Sequence, residues 1–147
     1  MRWIAINRFA PAPPAVIVHD HRTIARALAP GLPVTLLSPP GFVLYAGAPW
    51  WRALLEQASF TGYSLLDCGD AAGRALEALR IGLRGVILSA ETVIFDQIAA
   101  IARETDADLW HAAPPAFDAT ANSDDAELRH WLIGPALAGA GLTRAKN

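Results

Sequence analysis

The chain has 147 residues, 53% hydrophobic and 18% charged, with a net charge of −2. That length suits one domain rather than two, and the composition is far from that of a disordered chain. The charge argues against a general nucleic-acid binder. No apolar run approaches the roughly 18 residues of a membrane helix, and a sole cysteine, Cys68, excludes a disulfide framework or a multi-cysteine metal site.

Residues 1–14 read as an N-terminal arm and connector. "RWIAI" is a short apolar piece at a possible sheet edge, and "APAPPA" is stiffened because each proline fixes φ. The opening residues lack the long apolar centre of a secretory signal, so a cytoplasmic protein is the expectation. Residues 15–133 form a single α/β domain, and 134–147 an irregular tail without helical periodicity. The sole lysine, Lys146, lies in that tail, which removes Schiff-base chemistry from the fold.

Within the domain, short β-branched runs alternate with helical spacing. The runs are "AVIVH" (15–19), "PVTLL" (33–37), "YSLLD" (63–67), "GVILS" (85–89) and the weaker "DLWHA" (108–112). Runs apolar on both faces suit buried parallel strands. Helical spacing shows at Ile24/Leu28, at Trp51/Leu54/Leu55/Ala58, at Ala72/Leu76/Leu79 and at Ile94/Ile98/Ile101, and a last helix is expected near 124–133. Asp20, Asp70 and Asn122 stand at N-cap positions, and Gly31 and Gly82 where left-handed caps are wanted. The expected fold is therefore a three-layer, doubly wound parallel sheet of about five strands, flavodoxin-like, with a short extra N-terminal strand or arm. The rival is a fragment of a (β/α) barrel, for which about five strands of eight are supplied.

Ligands of such sheets meet the carboxyl ends of the strands. That edge holds His19, Asp20 and His21, then Ser38, then Asp67, Cys68 and Asp70, then Ser89 and Glu91, then His111. With strand order 2-1-3-4-5, His19, Asp20, Asp67 and Cys68 share one crevice. Asp67, His19 and His111 are the acid/base candidates. The competing reading has the aspartates as helix caps, Cys68 as a small buried hydrophobe and the histidines satisfied by carbonyls. No spacing resembles a metal motif, and no cofactor is implied.

Asp20, Asp67 and Ser89 fall where response-regulator receiver domains carry an acid after the first strand, a phosphoacceptor aspartate after the third and a hydroxyl after the fourth. In layout, residues 15–133 thus resemble a degenerate receiver domain, which implies the flavodoxin-like fold. The chain departs from the family in lacking the second acid of the first strand. The lysine that ends the fifth is also missing, since "HAAPP" stands there.

Arg22, Arg52 and Arg74 each fall near the start of a separate expected helix, against the helix dipole. Either they pair with Asp20, Asp67 and Asp70, or they gather round an anionic ligand such as a carboxylate. The loop "SPPGFVLYAGAPWW" carries Phe42, Tyr45, Trp50 and Trp51, which reads as a lid or a docking patch; homodimerisation through Tyr45, Trp50 and Trp51 is the expectation. Together these features suggest a non-catalytic module. It would bind a small anionic ligand or a protein partner at the carboxyl edge through Asp20, Arg22, Arg52, Asp67, Asp70, Arg74 and Ser89. The alternative is a small lyase or hydrolase using Asp and His groups at the same edge.

Overall fold

The computed structural model describes residues 12–120 and 122–134. The arm around Trp3 to Ile6 and the tail beyond Gly134 lie outside the described residues. The structure is α/β, as the sequence indicates, with six strands in one all-parallel sheet and six helices among the described residues. The strands are β1 (Ala15–Ile17), β2 (Thr35–Leu37), β3 (Ser64–Asp67), β4 (Gly85–Ile87), β5 (Asp108–Trp110) and β6 (Ala116–Asp118). The helices are α1 (His21–Leu28), α2 (Val43–Ala46), α3 (Ala48–Gln57), α4 (Ala72–Arg80), α5 (Thr92–Glu104) and α6 (Asp125–Ile133).

The strand order is β5-β4-β3-β2-β1-β6. Each crossover from β1 to β5 therefore steps to the next position in the same direction. Right-handed crossovers that all step one way deliver their helices to the same face. The buried apolar side chains of all six helices accordingly join one cluster with Val16, Leu36, Leu66, Val86 and Leu109 of the strands. In-register pairing explains this, since Val16 lies opposite Leu36, Leu66 opposite Val86, and Val86 opposite Leu109. Leu37, Tyr63, Leu65, Ile87 and Trp110 form a smaller cluster on the other face. On that face Tyr63 donates its hydroxyl hydrogen to the buried Asp108 at 2.7 Å, and the Trp110 indole N–H donates to Tyr63 Oη at 2.9 Å. A buried carboxylate thus has a hydrogen-bond donor, as burial requires.

Several local expectations shift. Gly31 and Gly82 do take positive φ, 70° and 92°. Asp20 does cap α1, in a reciprocal capping box with Thr23. Ala71, not Asp70, precedes α4, because Asp67 organises that turn by accepting from the Gly69 N–H at 3.0 Å. Asp124, not Asn122, caps α6, accepting from the Ala126 N–H at 2.9 Å. The stretch read as a long loop holds α2 and the first turns of α3, with Pro49 in the first turn, where its missing N–H costs nothing. Trp51 is fully buried beneath that stretch. β6 is an addition, in a segment for which no strand was expected. Gly85 of β4 is needed for close approach. An added Cβ there would collide with the Ser64 carbonyl oxygen and lie 2.8 Å from Leu65 Cδ2 of neighbouring β3.

Candidate functional site

Where β6 lands decides the site. After five strands stepping one way, the chain returns to the far side of β1, and Asp118 sits opposite Ile17. That register brings the Asp118 carboxylate to the side chain that follows β1. His19 Nε2 lies 2.6 Å from Asp118 Oδ1, a charge-assisted distance. The backbone beneath is held as well, since the His19 N–H donates to Thr23 Oγ1 at 2.8 Å. Both side chains are partly exposed, at 38% and 53%. A carboxylate on Nε2 orients the ring and leaves Nδ1 as the second nitrogen, the arrangement in which imidazole can accept or donate a proton.

Beside this pair is a cavity of about 490 Å³. Its β1–α1 wall is His19, Asp20, Arg22, Thr23 and Arg26; its other wall is Thr120 and Ser123, between β6 and α6, with Asp125 at the start of α6. The volume falls within the roughly 300–1,000 Å³ of small-molecule sites. Arg26 ties the two walls together. Its Nε donates to Asp125 Oδ1 at 2.7 Å, its Nη1 to the Thr120 carbonyl at 2.6 Å and its Nη2 to the Ser123 carbonyl at 2.7 Å. Ser123 Oγ also donates to the Thr120 carbonyl, at 2.7 Å. Asp20 spends its Oδ1 on the Thr23 N–H and hydroxyl at 2.9 and 3.0 Å. Its carboxyl is held below the usual aspartate value, first by the Thr23 N–H, with smaller help from Arg22.

The arginines separate clearly. Arg52 donates to the Ile81 carbonyl at 2.9 Å and lies 3.9 Å from Glu56; Arg74 pairs with Glu77 at 3.2 Å and donates to the Leu44 carbonyl at 3.2 Å. Their partners are thus other groups than Asp67 and Asp70. Arg22, in the first turn of α1 and lining the cavity, has its charge near the Asp20 carboxylate, but its guanidinium makes no hydrogen bond and no ion pair within 4 Å among the described residues.

The remaining candidates lie elsewhere. β2 stands between β1 and β3, so the crevice shared by His19, Asp20, Asp67 and Cys68 is not formed. Asp67 donates its N–H to the buried Ser38 Oγ at 2.8 Å and caps its own turn. Asp70 is exposed beside that turn. Cys68 is 1% exposed; burial above all, with Asp67 and Glu77 adding, pushes its thiol up to about 12, so it is no nucleophile. Ser89 donates to the His111 carbonyl at 3.1 Å, and the His111 ring stacks on Phe95 with centroids 3.8 Å apart. Among the described residues no group of three or more metal-ligating side chains occurs. Sequence reasoning passed over Asp118, Arg26, Thr120, Ser123 and Asp125. The three-residue run Ala116–Asp118 after "PP" is too short for a period-2 signal, and Arg26 looks like any exposed helical arginine. Comparison with protein-family models, curated proteins and solved structures yields no match, so the site stands on this geometry alone.

Proposed function

We propose that the protein is a non-catalytic module that binds a small anionic ligand in the cavity between the tips of β1 and β6, in a cytoplasmic setting. Arg22 carries the reading. It lines this cavity, and its guanidinium makes no side-chain hydrogen bond among the described residues, while those of Arg52 and Arg74 are spent on the protein itself. A guanidinium offers a planar fork matched to a carboxylate or phosphate. The place supports it too, because ligands of open parallel sheets gather at carboxyl edges where the strand order reverses, and β6 reverses it beside β1. Among the described residues, no helix is long and apolar enough to cross a membrane. Calorimetric titration with small carboxylates and inorganic phosphate tests this reading. Binding that is weakened about tenfold or more by Arg22→Ala supports it, and affinity indifferent to Arg22 removes it.

A second reading has one observation in its favour. The 2.6 Å contact of His19 with Asp118 is how an acid/base imidazole is held, which keeps a lyase or hydrolase as the alternative. Self-association is part of the first reading. Leu44 and Tyr45, 51% and 86% exposed on α2, offer the apolar surface for a second copy, while Trp51 is interior and Trp50 is packed edge-on against Phe42. Sedimentation of Tyr45→Ser tests it: a monomer where the parent is a dimer supports the contact.

A further inference from the structure

The cavity is not uniformly basic. Arg22 and Arg26 face Asp20 and Asp125, so the formal charges of the lining cancel when His19 is neutral, and Asp118 stands just behind His19. Much of that charge is already engaged. The Arg26 guanidinium is engaged by one carboxylate and two carbonyls, and Asp20 Oδ1 is held by Thr23. What remains most open to a ligand among the described residues is the Arg22 guanidinium, which makes no side-chain hydrogen bond, and acceptor oxygens, including Asp125 Oδ2, which takes no hydrogen bond. Such a lining attracts one anionic head and repels a second, because each further negative charge would approach Asp20 or Asp125.

Resting on the reading that the cavity binds an anion, we infer that its ligand class is a compact monocarboxylate whose body carries hydrogen-bond donors. The carboxylate sits on the Arg22 fork. Hydroxyls or an ammonium group next to it donate to the Asp20 and Asp125 carboxylates and to Thr120 and Ser123. These acceptors are exposed to water, and a ligand that covers them without offering donors leaves them unpaired at a cost, which is the physical basis for discrimination against a bare aliphatic acid of the same size. Polyanions such as citrate are excluded by charge rather than by volume.

The test is calorimetric titration of the intact protein with D-gluconate, L-threonine, hexanoate, citrate and inorganic phosphate. The expected result is binding of gluconate or threonine at about 1 mM or better, with hexanoate, citrate and phosphate about tenfold weaker or more. Which of the two binds tells hydroxyl donors from an ammonium. Asp20→Asn keeps a capping oxygen but removes a charge, and should improve citrate binding several-fold without improving gluconate. Hexanoate, citrate or phosphate binding as tightly as the donor-bearing acids, and lost in Arg22→Ala, overturns the ligand class and leaves the anion site standing. Absence of Arg22-dependent binding by all five probes overturns both.

Discussion

His19 and Asp118, 99 positions apart in the chain, meet at 2.6 Å across the β1–β6 junction. The contact fastens an edge strand of three residues to the body of the sheet. Because both side chains are more than a third exposed, solvent screens it, and its net worth is about 0–1 kcal/mol. A double-mutant cycle with His19→Gln and Asp118→Asn, read by urea unfolding, should return a coupling below about 1 kcal/mol. A larger value would mean that the pair is a principal fastening of β6, and would shift attention from ligand binding to stability.

Arg26 should matter far more. It is 23% exposed and spends Nε, Nη1 and Nη2 on the β6–α6 segment. Hydrogen bonds to charged groups contribute about 1.5–3 kcal/mol each, with strong overlap among bonds that share one side chain. Arg26→Ala is expected to cost about 2–3 kcal/mol, and Arg26→Lys should recover little, since an ammonium cannot satisfy a planar three-way arrangement. Hydrogen exchange gives the sharper readout, with faster exchange at Leu128 and Leu132 of α6 and little change in α4. Equal loss of protection throughout would show that Arg26 supports the whole fold rather than this unit.

Cys68 makes stability depend on alkaline pH. Its thiol titrates at about 12 in the folded chain, against 9.0 for the unperturbed group, because burial disfavours the thiolate. The unfolded state therefore releases the proton first, binds fewer protons than the folded state, and is favoured as pH rises. The contribution is complete below about pH 9 and is lost progressively toward pH 12. Cys68→Ala should flatten the fall in unfolding free energy above pH 9, at some cost in packing at neutral pH. Native protein at pH 8 should be inert to a thiol reagent until denaturant is added. Rapid modification of folded protein would contradict the burial.

Elements with strong local signals were legible in the amino-acid order alone. Apolar-on-both-faces runs such as "GVILS" specified parallel strands, because only a strand covered on each side can be so uniformly apolar. Asp20 marked the start of α1, because an aspartate before a helix satisfies amides that nothing else in the chain reaches. Arg22, Arg52 and Arg74 all oppose a helix dipole and are alike in sequence; the carbonyl and glutamate partners of Arg52 and Arg74 set Arg22 apart. Tertiary structure alone decided what stands beside what. β6 has three residues and none fully buried, so no periodicity announces it; it exists because β1 offers an edge and Trp131 of α6 donates to the Ala15 carbonyl at 2.9 Å. Its arrival turned Asp118 into the partner of His19, and the placement of β2 kept Asp67 away from both. Strand order is set by long-range packing summed over the whole sheet, and an amino-acid pattern read along one segment carries no record of that sum.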